Sequence, residues 1–147
     1  MENNSKKKIM FVCAENAGRS QMAEAIFNHY ALEKGINWQA ESGGTFPSDK
    51  INPLVTAVMR EKGIDLKNAK PKQFVPEKVG EYARVISFGC LVKSAFSKKF
   101  QERIEEWHID DPKDQSIEKI RQIRNQLKRK MVALINGLVW TTKMWIV

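Results

Sequence analysis

Cys13 and Arg19 enclose the loop Cys13-Ala14-Glu15-Asn16-Ala17-Gly18-Arg19, with Ser20 directly after it. The upstream run Ile9–Val12 is short and apolar, and the downstream run from Gln21 to Phe27 has helical character. A thiol therefore stands where a buried strand hands over to a helix N-terminus. Backbone N–H groups and the positive end of the helix dipole gather there and favour an anion. The same field activates a cysteine thiolate as a nucleophile. An Arg fork can grip two oxygens of a tetrahedral oxyanion while the sulfur attacks its centre. Asn16 and Gly18 tolerate the positive φ values that a tight anion-cradling loop demands. The Ser20 hydroxyl can donate to the thiolate or cap the helix. The residues Ala14, Glu15, Asn16, Ala17, Gly18 and Arg19 are thus the expected oxyanion-binding loop, with Cys13 as nucleophile. Taken singly, a strand-end Cys is a small core residue and a helix-start Arg is solvated; the combination carries the reading.

Those groups need elements to hold them, and the pattern supplies an alternation. Strands are expected at Ile9–Cys13, Asn37–Ser42, Ala83–Phe88 and Ile104–Ile109. Helices are expected over Ser20–Gly35, ending at a glycine suited to the C′ position, and over Pro53–Lys62. The second has Asn52 as N-cap, Pro53 as first helical residue and Gly63 as its stop. From Ser116 to about Asn136, Ile117, Ile120, Ile123, Leu127, Met131 and Leu134 recur at helical spacing. This order implies an α/β fold with a four-stranded parallel sheet flanked by helices on both faces. Cys13, Ser42, Cys90 and Asp111 then fall at or just after strand C-termini, the edge where ligands bind in open α/β sheets.

The 147 residues are read as a single domain, 1–147, and a hydrophobic content of 42% suffices for a core. No stretch approaches the ~18 apolar residues of a membrane span, and the polar N-terminus lacks a secretory pattern. A cytoplasmic location is expected, as a monomer or weak dimer. The net charge is +8, but the basic residues are spread along the chain, apart from Lys6-Lys7-Lys8 and Lys128-Arg129-Lys130. With no interleaved aromatic motif they read as solvated helix faces and not as a nucleic-acid site, although the positive field would draw in an oxyanion. Residues 43–52 and 65–82 are loop-rich. The segment Leu138–Val147, with two Trp, either packs back on the fold or forms an interaction surface.

The loop with its following helix resembles the thioredoxin-coupled arsenate reductases, which share a fold with the low-molecular-weight tyrosine phosphatases. Glu41-Ser42-Gly43-Gly44-Thr45 and the stretch from Asn52-Pro53-Leu54 to Lys62-Gly63-Ile64-Asp65 resemble their second strand and helix. Ser87-Phe88-Gly89-Cys90 resembles the segment bearing their second redox cysteine, and Trp107-His108-Ile109-Asp110-Asp111-Pro112 their general-acid segment. The resemblance spans residues 8 to 136. It implies arsenate reduction to arsenite: Cys13 forms an adduct with arsenic, Asp111 protonates the departing oxygen, and Cys90 closes a disulfide with Cys13. No tightly bound cofactor is implied, only an external thiol such as thioredoxin, glutaredoxin or glutathione. Asp110 is the rival carboxylate, and Asp111-Pro112 also suits an ordinary turn.

The chain departs from the family in several places. Gly18 replaces a cysteine common before the Arg, and Glu15, an acid where many relatives have glycine, is expected to point out of the loop. Ser97 stands where three-cysteine members carry their last cysteine, and the chain has only two. Any disulfide of Cys13 and Cys90 must then be reduced directly; the other reading of Cys90 is a buried apolar thiol. Lys113 and Asp114 replace the aromatic residues that receive a phenyl ring in the phosphatases, the principal alternative. A non-catalytic oxyanion-binding module is the further one. Asn16, Glu24, Ser42 and Asp65 fall where some reductases hold potassium, or else form loop-stabilising hydrogen bonds. His29, expected on a helix surface, and His108, expected on the strand before the acid, have no zinc-ligand spacing with the cysteines.

Overall fold

The computed structural model describes residues 5–91 and 93–144. Strand β1 (Lys7–Cys13) leads to helix α1 (Arg19–Lys34), β2 (Trp38–Gly44) to α2 (Pro53–Arg60), and β3 (Arg84–Ser87) to the single turn α3 (Lys98–Gln101). Strand β4 (Ile104–Glu106) then precedes the long helix α4 (Ile117–Met144). The sheet is parallel with order β2-β1-β3-β4. The chain passes from β2 on one side of β1 to β3 on the other, which makes the C-terminal end of β1 a topological switch point. Cys13 is the last residue of that strand.

Period-two alternation divides the core between the two faces. Ile9, Phe11 and Cys13 face a large cluster with Met22, Phe27, Val55, Met59, Ile120, Leu127 and Met131 of α1, α2 and α4, and with Ile86 and Phe88 of β3 and the residues just after it. Met10 and Val12 face a smaller cluster with Phe74, Val79, Val85 and Ile104. That second face is covered by segment 72–75 and by short helical turns at Pro76–Glu81, Lys93–Ala95 and α3. Arg124, almost wholly buried, ties α4 to α2 by donating to the Val58 carbonyl at 2.8 Å and to Glu61 at 2.7 Å.

Element ends follow local chemistry. Gly35 takes a left-handed φ of 65° at the end of α1, and the Ile36 amide returns to the Ala31 carbonyl at 3.1 Å. The Asn52 side chain accepts from Leu54 N at 3.0 Å and Pro53 opens α2, as the sequence predicts. Three expectations need correction. Strand β2 runs through Gly43 and Gly44, which pair with Val12 and Cys13 of β1, and segment 72–74 bonds to Gly44 on its other side. The Gly44 amide donates to the Lys72 carbonyl and its carbonyl accepts from Phe74 N, both at 2.8 Å. A Cβ on Gly43 would crowd the Phe74 backbone at 3.0 Å, so any other residue there forces that segment to give a few tenths of an ångström. Strand β4 stops at Glu106: Trp107 N makes a last bond to the Ser87 carbonyl, and β3 offers no further partner. His108 is therefore in the following loop and exposed.

Helix α4 continues past Asn136 through Gly137 to Met144. Ile135, Leu138 and Val139 extend its inward stripe, whereas Trp140 is two-thirds exposed. The described part of the C-terminal segment is thus helix that packs back along one stripe; Trp145–Val147 lie outside the described residues.

Candidate active site

The loop after β1 is held from outside by its own carbonyls. Those of Cys13, Ala14, Glu15 and Ala17 accept from the amides of Thr45, Phe46, Ser48 and Asn52 at 2.7–3.2 Å. Gly44 lets β2 approach this closely, since a Cβ there would lie 2.7 Å from the Ala14 carbonyl oxygen. With the carbonyls turned outward, the amides from Ala14 to Arg19 donate to no protein acceptor among the described residues. They form a concave run of donors at the start of α1, a ready anion cradle.

Asn16 fixes the bend. It takes φ +52° and is fully buried. Its amide nitrogen donates to Ser20 Oγ at 2.7 Å, and its oxygen accepts from Gln21 Nε2 and Lys72 N, each at 2.8 Å. Ser20 Oγ lies 2.8 Å from Cys13 Sγ. With Asn16 donating to that oxygen, the Ser20 proton is free to point at the sulfur. Cys13 itself is 4% exposed, a thiol reached only through the loop mouth.

Arg19 arches over the Phe88 ring at 5.9 Å and donates to the Ile109 carbonyl at 2.9 Å. That second anchor comes from the loop after β4, so sheet topology aims the guanidinium. Asp111 reaches the same group, Oδ2 to Nη2 at 3.6 Å, while its Oδ1 accepts from Lys113 N at 3.0 Å. Asp110 turns away to Lys119 Nζ at 2.7 Å, and that ammonium keeps its carboxyl below the usual range. The pair is thereby resolved: Asp111 lines the cavity over Cys13 and Asp110 does not. That cavity is about 370 Å³ and is walled by the loop, Ser48–Leu54 and Asp111–Gln115. Glu15 stands at its rim, neutralised by Lys113 Nζ at 3.3 Å, and does not face the anion cradle uncompensated.

Cys90 is elsewhere on the sheet edge. It is half-buried and packs with Leu91, Phe96 and Phe100 against the second cluster, whereas Cys13 belongs to the first. Its amide donates to Ser87 Oγ at 3.2 Å, with Sγ at 3.6 Å from the same oxygen. Burial pushes the Cys90 thiol up; the Ser87 hydrogen bond opposes this, and the charges of Cys13 and Glu106 add to it. Both cysteines are free thiols.

Of the four residues that fall where some reductases hold potassium, Asn16, Glu24 and Asp65 each have partners within the chain. The Asn16 oxygen already accepts two bonds, and exposed Asp65 accepts from Lys67 N at 2.8 Å in a local turn. Lys72 Nζ lies 3.7 Å from Glu24, supplying a cation from the chain itself. Burial raises the Glu24 carboxyl, and Lys72 and Ser42 draw it back. The Ser42 hydroxyl faces that carboxylate without closing a full hydrogen bond. The basic clusters are partly engaged: Lys8 pairs with Glu41 at 3.2 Å and Lys130 sits 4.9 Å over the Trp107 ring. Exposed His29 packs edge-on to Tyr30. No described helix is long and apolar enough to cross a membrane.

Sequence reasoning missed Gln21, Lys72 and the Ile109 carbonyl. Gln21 is fully buried on α1 and bridges Asn16 to the Lys70 carbonyl at 3.0 Å. A polar residue on the buried, mostly apolar stripe of α1 was the available signal. The backbone groups left no signal at all.

Comparison with known proteins places this geometry. The family model for low molecular weight phosphotyrosine protein phosphatase matches residues 8–143. A glutaredoxin arsenate reductase of Synechocystis sp. is 35% identical, over 88% of this chain and 96% of that protein. A protein-arginine-phosphatase of Bacillus subtilis is 28% identical, over 88% and 95%. The solved structure of an arsenate reductase in its phosphate-binding state superposes with a TM-score of 0.75 at 33% identity, covering 89% of this chain and 98% of that one.

Proposed function

This chain belongs to the low molecular weight phosphotyrosine protein phosphatase family, and on that premise we propose that it is an arsenate reductase. The observation that carries the reading is the pairing of an anion cradle around Cys13 with a second thiol, Cys90, at the end of the adjacent strand. The similarity to proteins named arsenate reductase supports it.

Arsenate sits on the amides from Ala14 to Arg19, with the Arg19 fork on two of its oxygens. Cys13, its thiolate aided by the Ser20 hydroxyl, attacks arsenic, and Asp111 protonates the oxygen that leaves as water. The Cys90 thiolate then attacks Cys13 Sγ. The S–S bond forms, the S–As bond breaks, and its electron pair stays on arsenic, giving arsenite. For the disulfide to close, the Cys90 thiol must turn from the second cluster toward Cys13, which belongs to the first. Gly89, at φ +79°, is the natural pivot. An external thiol then resets the enzyme: thioredoxin, glutaredoxin or glutathione.

One observation favours a second activity. The cavity of about 370 Å³ is far larger than an inorganic oxyanion and leaves room for an organic phosphoryl compound, in keeping with the similarity to a protein-arginine-phosphatase. Hydrolysis would use Cys13, Arg19 and Asp111, with water as second nucleophile.

The test is a thiol count on fully reduced protein after exposure to excess arsenate without reductant. Loss of two thiols per chain with arsenite released supports the reductase. No loss of thiols refutes it, and aryl phosphate hydrolysis by the same sample would then identify a phosphatase. Cys13→Ser is expected to abolish both reactions, and Cys90→Ser to stop arsenate reduction alone.

A further inference from the structure

The surroundings of Cys90 are chemically specific. Strand alternation turns Ser87 of β3 and Glu106 of β4 to the same face as Val85 and Ile104, the face on which Cys90 packs. Ser87 and Glu106 are register partners on adjacent strands, hence neighbours about 5 Å apart. Ser87 is fully buried and touches the Cys90 sulfur and amide through one oxygen. Glu106 Oε2 accepts from the Gly89 amide at 3.0 Å, tying the carboxylate to the residue before Cys90. Its other oxygen, Oε1, is buried and has no hydrogen-bond partner. A buried carboxylate oxygen left open in this way is rare and invites a functional account.

We propose that Glu106 is the proton acceptor for Cys90 in the redox step, with Ser87 orienting the sulfur. The inference rests on the reading of Cys90 as the second redox cysteine. At its resting place the Cys90 thiol passes its proton to Glu106 Oε1, and the thiolate so formed then turns to attack Cys13 Sγ. The S–S bond forms, the S–As bond breaks, As(V) becomes As(III), and the two thiols are the reductant. The arrangement also answers a difficulty in the resting state. Burial holds the Cys90 thiol above the ordinary cysteine range, so little thiolate stands ready at neutral pH and attack requires a base. The groups acting on Cys90 are Cys13 from β1 and Glu106 from β4. Arg103 and Lys99, both stacked on the Phe100 ring, are cations of the segment that covers it.

The experiment is a single turnover at saturating arsenate without reductant, followed by thiol loss and arsenite release between pH 6 and 9.5. Wild-type protein is expected to show a plateau through neutral pH. Glu106→Gln is expected to be about 100-fold slower at pH 7 and to gain tenfold per pH unit as hydroxide makes the thiolate. Glu106→Asp is expected to recover most of the rate, and circular dichroism shows whether each variant keeps its fold. If Glu106→Gln follows the wild-type profile while Cys90→Ser blocks arsenite release, the role of Glu106 is overturned and the redox reading stands. If Cys90→Ser releases arsenite at the full rate, the redox reading falls and the inference with it. Should Glu106→Gln not fold, the wild-type profile decides: a tenfold rise per unit from pH 7 to 9 would overturn the proposal.

Discussion

Replacing Asn16 with alanine tests the account of the loop most severely, because three hydrogen bonds and a strained backbone angle meet in one buried side chain. Asn16→Ala removes the donor to Ser20 Oγ and the acceptor for Gln21 Nε2 and Lys72 N. At about 1 kcal/mol for each bond the loss is about 3 kcal/mol. Alanine also resists the φ of +52°, adding about 1 kcal/mol relative to asparagine. The sum, about 4 kcal/mol, is a large share of the 5–15 kcal/mol of a typical domain. With a urea m-value of about 2 kcal/mol/M, the unfolding midpoint should fall by about 2 M. Asn16→Gly loses the same bonds without the φ penalty and should be about 1 kcal/mol milder. Activity should fall further than stability, because Ser20 is freed to turn from Cys13 and the amide cradle loses its bend. Urea unfolding of the three proteins, with arsenate turnover on the folded fraction, measures both. A midpoint within 0.5 M of wild type for Asn16→Ala, or alanine no worse than glycine, would refute this reasoning.

Other expectations follow from neighbouring geometry. In Gly18→Ala the new Cβ would lie 2.5 Å from Pro112 Cγ, so the acid loop must retreat; turnover should drop by about 100-fold, as a 1 Å displacement can cause, with a much smaller change in the unfolding midpoint. Asp111→Asn should slow turnover by about 10²–10⁴-fold, whereas Asp110→Asn, which breaks only the Lys119 pair, should leave kcat within about threefold; equal losses in both would refute the assignment of Asp111. Glu61 accepts hydrogen bonds from Arg121 and Arg124, which lower its carboxyl to about 2 from the ordinary 4.5. A carboxyl depressed in the fold stabilises above its unfolded pKa, and that stability is lost as pH falls from about 4.5 toward 2. Wild type should therefore lose more stability across that window than Glu61→Gln, as read from thermal midpoints; parallel curves would contradict the pairing.

The sequence by itself determined the elements that local chemistry dictates. The spacing from Cys13 to Arg19, with Asn16 between them, specified a bent loop, because positive φ at Asn16 and a strand-to-helix hand-over depend only on adjacent residues, whereas Gly18 keeps a negative φ of −143°. Gly35, Asn52-Pro53 and Gly63 likewise marked helix ends through their own backbone preferences, and Asp111 before Pro112 marked the carboxylate that lines the cavity. What lay beyond the sequence came from pairings between distant segments. Strand β2 ran on through two glycines because they pair with Val12 and Cys13 of β1, and β4 stopped early because β3 had no more backbone to offer. Asp111 was distinguished from Asp110 by Lys119 and Arg19, which are remote in the chain and adjacent in space. The partners of Asn16 and Glu24 were hidden for the same reason, since Lys72 folds against Glu24 and its amide donates to the Asn16 oxygen. The placement of Cys90 on the opposite face from Cys13, beside Ser87 and Glu106, follows from strand register, and register exists only once the sheet has assembled.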